Sequence, residues 1–219
     1  PRYTFKSTLV TIGHSLWLLL NDPNERLLLY SDATEKAEGF LLGIKNHILG
    51  LITSSHFRAV CGGWEVDSKQ HVWNQSAIVI APRTQAAVEP SVDTAGLETS
   101  KVGKHYDGLI FDDLCTDKNV TTKDLMDKVS DCYRKAQSLL RPGGLNLLLG
   151  TRWHEGDLYG RLIAEKSATV FLRDAEISTT GQPYPFQDIG LTQTFLAKQK
   201  SEQGTRIYSC LYRLAPQDD

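Results

Sequence analysis

The residues with the clearest chemical potential stand near the beginning of the chain, where Lys6 and Ser7 directly precede a stretch with helical periodicity. A lysine and a hydroxyl at a helix start form the end of a phosphate-binding loop, in which the lysine reaches the outer phosphates and the hydroxyl binds Mg²⁺. In the full pattern, G-x-x-x-x-G-K-[ST], Phe5 stands in place of the second glycine, and the position of the first glycine precedes Pro1. The alternative is that these residues only cap a helix, and this segment alone leaves both interpretations open.

A second candidate is the pair Asp112 and Asp113, which ends an apolar run typical of a buried strand. One such carboxylate can bind Mg²⁺ while its neighbour orients an attacking water, and in nucleotide hydrolases this strand lies next to the phosphate loop. Aspartates also commonly end strands and cap turns. The presence of both elements in one chain favours nucleotide hydrolysis over two unrelated caps.

A third candidate follows the apolar run 147–149, which leads through Gly150 into Thr151 and Arg152. Residues at the end of a strand next to a nucleotide can sense the γ-phosphate and report its loss. The alternative is that Arg152 pairs with a carboxylate at the rim of the sheet and that Trp153 only packs.

The elements that must position these residues alternate between short apolar runs and amphipathic helical stretches, which predicts an α/β fold. Breaker clusters and capping residues separate the elements. The predicted strands are 27–30, 107–113, 145–149 and 169–175, with a hairpin at 72–80 and a strand, turn and loop over 89–96. The predicted helices are 7–20, 33–49, 156–166 and 192–204, with another that begins at Thr122 and continues to Leu139.

Composition excludes several classes of protein. The chain has 219 residues with 24 basic and 26 acidic side chains, so its net charge of -2 argues against a dedicated nucleic-acid binder but allows a local basic patch. Its four cysteines include no C-x-x-C pair, which argues against a zinc ribbon and favours reduced cysteines. The apolar runs are too short for a membrane span, so no membrane association is expected.

Taken in order, the three elements resemble the ATPase domain of large terminase subunits, the DNA-packaging motors of tailed bacteriophages and prophages. The resemblance implies an α/β P-loop NTPase fold of the ASCE type, with a mostly parallel sheet flanked by helices. Its most specific parts are Asp-Asp-Leu at 112–114, Gly-Thr-Arg-Trp-His at 150–154 and Asp-Leu-Tyr-Gly at 157–160. The other matching segments are 1–8, 28–32, 89–91, 105–107 and 142–144, with Ala37 and Gly96.

The resemblance also implies a role for each matching residue. Terminases often carry glutamate where this chain has Asp113, and the shorter side chain requires the attacking water to lie closer. The implied ATP-binding residues are Arg2, Lys6, Ser7 and Thr8, and the implied metal ligands are Ser7 and Asp112. The implied catalytic residues are Asp113, Arg2 and Arg152. Thr151 and Arg152 are implied to couple hydrolysis to motion. Some terminases supply an arginine finger shortly before the acidic strand, where this chain has Lys101 and Lys104.

The implied cofactors are ATP and Mg²⁺. The implied partners are double-stranded DNA bound without sequence specificity, a small terminase subunit, a portal ring and further copies of the chain in a ring. The implied location is the cytoplasm of an infected bacterial host, where the motor docks on a procapsid. Residues 1–180 are expected to form the ATPase core, and 181–219 its C-terminal part and linker. The strand before the phosphate loop and the nuclease domain of this family are both expected outside this chain, which is expected to be a fragment.

Two alternatives differ from this interpretation. Another P-loop nucleic-acid ATPase, such as a helicase-like protein, would carry helicase motifs after the last strand, and none is evident. A non-catalytic assembly protein or prophage remnant is favoured by the absent loop glycines and by the bulky Tyr3 within the loop.

Overall fold

The apolar runs of the sequence form a five-stranded sheet in the order β2-β3-β1-β4-β5. The computed structural model describes residues 1–52, 56–69 and 71–217. Neighbouring strands are parallel except for the short β2, which pairs antiparallel with β3. The chain is therefore an α/β protein with a mostly parallel sheet flanked by helices. The strands are β1 (Leu27–Ser31), β2 (Ala77–Ile78), β3 (Val92–Gly96), β4 (Tyr106–Asp112) and β5 (Leu140–Leu149).

The chain divides into two compact units. The sheet unit comprises Lys6–Leu114 and Cys132–Leu149, and the second unit comprises Pro1–Phe5, Cys115–Asp131 and Gly150–Asp219. The first helix, α1, begins with a π-helical part, Ser7–His14, and continues as an α-helix over Ser15–Asn21. The other helices are α2 (Thr34–Ile48), α3 (Phe57–Cys61), α4 (Lys123–Gln137), α5 (Leu158–Ala164) and α6 (Gln193–Tyr208). A 3₁₀ turn lies at Gln187–Ile189 and a π turn at Ser209–Arg213. No helix in the described ranges has the length and apolar character needed to cross a membrane.

The core of the sheet unit forms between the sheet and α2. Every residue of β1, β3 and β4 is buried. For β1 the continuous apolar run predicts this, since it is typical of strands covered on both faces, whereas β3 also buries the polar Asp93 and Thr94. On α2 the inward positions recur at spacings of three and four, and a leucine or isoleucine side chain contributes about 1.5–3 kcal/mol when fully buried. The fully buried members of this stripe are Ala37, Leu41, Ile44 and Ile48.

The second unit has a smaller core of its own, in which aromatic side chains predominate. Tyr208 and Tyr212 stack at a ring separation of 5.1 Å. Side-chain caps begin three helices: Thr122, as predicted, accepts a hydrogen bond from Leu125 N–H at the start of α4, and Asp157 and Thr192 cap α5 and α6.

Two predicted elements are wrong. Residues 169–175 form no strand: Val170 and Phe171 are exposed, and an apolar run becomes a strand only where a neighbouring strand accepts its hydrogen bonds. Residues 141–144, predicted only to end a helix, lie within β5. The register between β4 and β5 shifts between Tyr106 and Gly108, and this irregularity accommodates the extra residues.

Gly96 provides a test of the packing between β3 and α2. A Cβ at this position would lie 2.5 Å from the main-chain nitrogen of Thr34, and backbone cannot yield as a flexible side chain can. We expect Gly96→Ala to lower the free energy of unfolding by about 1–3 kcal/mol in urea denaturation. Gly39→Ala is the control, because its Cβ would meet nothing within 4 Å and alanine favours a helix by up to about 1 kcal/mol over glycine. Equal effects of the two substitutions would contradict this packing.

Candidate functional site

The candidate site lies in the sheet unit at the carboxyl ends of β1 and β4. These parallel strands are in register, with Ser31 opposite Asp112, and Ser31 Oγ donates a 2.7 Å hydrogen bond to the main-chain oxygen of Asp112. The start of α1 lies at this same edge of the sheet. Lys6 contacts the carboxylate of Asp113, and Thr11 contacts that of Asp112. Strand ends of this kind are where open α/β sheets bind ligands.

Asp112 is completely buried, and α1 supplies the hydroxyls that face it. Thr11 Oγ1 donates a 2.5 Å hydrogen bond to Oδ2, and the Ser7 hydroxyl lies beside the carboxylate. Oδ1 has no hydrogen-bond partner among the residues that the structure describes. Burial raises the pKa of Asp112 above its ordinary value, the Thr11 hydrogen bond and the nearby Ser7 hydroxyl oppose this, and the neighbouring Asp113 charge adds to the rise.

Lys6 and Asp113 form an ion pair at the opening of the site. Lys6 Nζ lies 2.6 Å from Asp113 Oδ1, and the two side chains are 25% and 37% exposed. At this exposure the pair contributes up to about 1 kcal/mol. Asp113 adopts a φ of 50°, and its N–H donates a 3.0 Å hydrogen bond to the Leu149 carbonyl. The ammonium is thus held at the end of β4 by a contact that a modest competing interaction can break.

The residues around Asp112 fit a magnesium ion that is held together with phosphates. Among the described residues no group of three His, Cys, Asp or Glu side chains is placed to hold a metal alone. Mg²⁺ typically takes only one or two protein ligands and completes its shell with water and phosphate oxygens. The buried, unpartnered Oδ1 of Asp112 and the Ser7 hydroxyl beside the same carboxylate are oxygen donors of the kind that this ion prefers.

Two residues before Lys6 adopt backbone angles that favour glycine. Tyr3 has a φ of 63° and Phe5 a φ of 55°, and Phe5 stands where the phosphate-loop pattern has its second glycine. A left-handed conformation at a residue with a large side chain costs on the order of 1–3 kcal/mol and often marks a functional site. The chain therefore adopts a glycine-like conformation at Phe5 without the glycine.

Of the remaining predicted site residues, one lies in the sheet unit and three belong to the second unit. Thr8 is exposed on α1. Arg2 belongs to the second unit, where its N–H donates a 3.0 Å hydrogen bond to the Leu211 carbonyl and its side chain is exposed. Thr151 and Arg152 also belong to the second unit. The structure thus brings together four of the predicted residues: Lys6, Ser7, Asp112 and Asp113.

Arg152 lies in a loop that Asp157 organises within the second unit. The Asp157 carboxylate is buried and accepts hydrogen bonds from the N–H groups of Trp153, His154 and Gly160. Arg152 Nε lies 3.4 Å from the same carboxylate, so Arg152 has the carboxylate partner that the alternative interpretation predicts. Trp153 packs against the aromatic core of this unit.

Lys101 and Lys104, which stand where a finger arginine is expected, are bound to Asp93. Each ammonium lies 2.8 Å from one oxygen of this buried carboxylate, and Tyr106 Oη donates a 2.6 Å hydrogen bond to it. Burial opposes the charge of Asp93, yet these hydrogen bonds outweigh it and hold its pKa below the ordinary value. The geometry therefore gives both lysines a structural contact inside the sheet unit.

This cluster predicts a pH-dependent stability difference. We expect Asp93→Asn to lower the free energy of unfolding by about 3 kcal/mol at pH 7, because it leaves the lysines without their carboxylate. The pKa of Asp93 is lower in the folded state than in the unfolded state. The stability that its charged carboxylate contributes is therefore complete above the unfolded-state pKa of about 3.9, and it is lost as the pH falls through the lower folded-state pKa. Urea denaturation of the unsubstituted chain and of Asp93→Asn should give a difference in the free energy of unfolding that is constant from pH 7 to 5 and becomes smaller below about pH 4. A difference that widens on acidification would contradict the assignment.

Sequence reasoning missed Thr11 and Ser31 as residues of the site. Thr11 follows Ser7 by four positions, a spacing that places two side chains on one helical face, and this signal could have identified it. Ser31 ends a predicted strand, but only the strand register reveals that it faces Asp112.

No protein-family model matches the chain, and no curated protein matches its sequence. The terminase resemblance therefore depends on the sequence motifs quoted above.

Proposed function

We propose that this chain is the ATPase of a large terminase subunit, which hydrolyses ATP with Mg²⁺ to drive double-stranded DNA into a capsid. The observation that carries the proposal is the convergence of Lys6 and Ser7, at the start of α1, on Asp112 and Asp113, at the end of β4. Loop, helix start and acidic strand end are the parts that a P-loop NTPase needs. The mostly parallel sheet is compatible with that fold.

In the proposed mechanism, the chain positions the reactants and stabilises charge. Lys6 leaves Asp113 and binds the outer phosphates, a stronger charge-assisted partner. Asp113, released from Lys6, accepts a hydrogen bond from the attacking water and orients it. Ser7 and Asp112 would hold Mg²⁺, which would neutralise charge on the phosphate oxygens.

Arg2, Arg152 and Thr151 complete the proposal from the second unit. Arg2 is proposed to neutralise charge that develops at the γ-phosphate. Arg152 and Thr151 are proposed to couple phosphate loss to motion, and the loop that Asp157 holds is a defined element on which such coupling can act.

The proposed motor contacts DNA through its phosphates without reading sequence, because it must move along any sequence. Its proposed partners are a small terminase subunit, a portal ring and further copies of the chain in a ring.

A second candidate is a non-catalytic protein derived from such a motor. It is favoured by the left-handed φ values of Tyr3 and Phe5, where glycine is the preferred residue. Under this candidate the Lys6–Asp113 pair is permanent and the chain binds no nucleotide.

The test of the proposal compares this chain with the extended protein, meaning the chain plus any residues encoded directly upstream and downstream. We expect the 219-residue chain to bind ATP more tightly with Mg²⁺ than with EDTA and to turn it over slowly. We expect the extended protein to hydrolyse ATP faster and to respond to linear double-stranded DNA. Absence of nucleotide binding by both proteins would favour the non-catalytic candidate.

A further inference from the structure

We infer that Thr11 is a positioning residue for a divalent cation: it holds Oδ2 of Asp112 and thereby directs Oδ1, the oxygen without a protein partner among the described residues, to the metal. The inference rests on the proposed nucleotide site and adds to it a residue outside the phosphate-loop pattern. Thr11 is proposed to act through Asp112 and to touch neither nucleotide nor metal.

The first support is the placement of Thr11. Its side chain is fully buried, and Oγ1 lies 2.5 Å from Asp112 Oδ2, a short hydrogen bond across 101 residues of sequence. The threonine is itself held, because Ser15 Oγ donates a 2.6 Å hydrogen bond to its carbonyl. On the other side, Ser31 fixes the main chain of Asp112. The carboxylate is therefore constrained from both the helix and the neighbouring strand.

The second support is the unequal treatment of the two oxygens of Asp112. Other buried aspartates of the described ranges have partners on both: Asp93 receives Lys101 on Oδ1 and Lys104 on Oδ2, and Asp157 receives main-chain N–H groups on both. Oδ1 of Asp112 alone among these is buried without a hydrogen bond. An unsatisfied buried acceptor carries a free-energy cost, because the group has lost its hydrogen bonds to water.

That cost indicates what the missing partner is. The oxygen belongs to a carboxylate with the Ser7 hydroxyl beside it, and a hard divalent cation is the partner that such a set selects. Without the Thr11 hydrogen bond the carboxylate can rotate and present either oxygen to the helix. Hydrogen bonds to a ligating carboxylate typically contribute 10–100-fold to metal affinity.

The test measures how much Mg²⁺ tightens the binding of a non-hydrolysable ATP analogue, as the ratio of its Kd in EDTA to its Kd in Mg²⁺. Thr11→Val removes the hydroxyl at nearly constant volume, and we expect it to lower this ratio at least about tenfold with little change of the Kd in EDTA. Thr11→Ser keeps the donor and should keep the ratio. Ser130→Ala is the matched control, because it removes a buried hydroxyl that bonds to the carbonyl four residues earlier in α4 and does not contact Asp112.

Each outcome decides the inference. If the unsubstituted chain and the extended protein show no tightening by Mg²⁺, the proposed function fails and the inference fails with it. If they do and Thr11→Val preserves the ratio, or weakens binding equally in EDTA, the inference alone is overturned and Thr11 is structural. If Thr11→Val does not fold, Thr11→Ala replaces it. Failure of both to fold, with Thr11→Ser folded, also assigns the hydroxyl to stability and overturns the inference.

Discussion

Asp113→Asn is expected to lower the rate of ATP hydrolysis by at least about a hundredfold while Mg-ATP binding persists. The amide cannot accept the water's hydrogen bond as a carboxylate does, and a hundredfold loss corresponds to about 2.7 kcal/mol of transition-state stabilisation. Because the substitution also removes the ionic partner of Lys6, we expect ATP affinity to be unchanged or up to about fivefold tighter. Steady-state turnover of the extended protein and equilibrium binding to the same variant provide the two measurements.

Asp112→Asn should behave differently, because Asp112 is assigned to the metal. We expect it to weaken binding in Mg²⁺ as well as turnover, with little change of binding in EDTA. Asp131→Asn, at an exposed position of α4, is the control and should change neither quantity. Equal and mild effects of the Asp112 and Asp113 substitutions would indicate that the two aspartates only end a strand.

Lys6→Ala is expected to raise the Kd of ATP about 10- to 100-fold, because charge-assisted hydrogen bonds to phosphate contribute about 1.5–3 kcal/mol. The loss should appear in both Mg²⁺ and EDTA, since Lys6 binds phosphate directly, and titration with a fluorescent ATP analogue measures it. Lys198→Ala is the matched control: Lys198 is also ion-paired, to Glu202, but is exposed on α6. An unchanged Kd for Lys6→Ala would remove Lys6 from the site.

Much of the sheet could be predicted from the sequence, because local patterns determine it. The continuous apolar runs of β1 and β4 and the three–four spacing of α2 identify buried elements without knowledge of their neighbours. The run at 169–175 has the same local pattern but forms no strand, because strand formation depends on a partner that the local sequence does not specify. For the same reason the extent of β5 was missed, since its register against β4 includes an irregularity.

The candidate site divides in a similar way. The identity of Lys6, Ser7, Asp112 and Asp113 follows from motifs, and the structure places them together. Their contacts do not follow from motifs: the pairing of Lys6 with Asp113 joins residues 107 positions apart. These details depend on how α1 lies against the end of β4, which is tertiary structure.

A crystal structure of the chain, or of the extended protein, with Mg²⁺ and a non-hydrolysable ATP analogue would show whether the Lys6–Asp113 pair marks a nucleotide-phosphate site. We expect Lys6 Nζ to leave Asp113 and to lie within about 3 Å of a phosphate oxygen, with Mg²⁺ beside Ser7 and Asp112. An analogue bound elsewhere, or absent at saturating concentration while Lys6 stays paired with Asp113, would show that the pair marks no phosphate site.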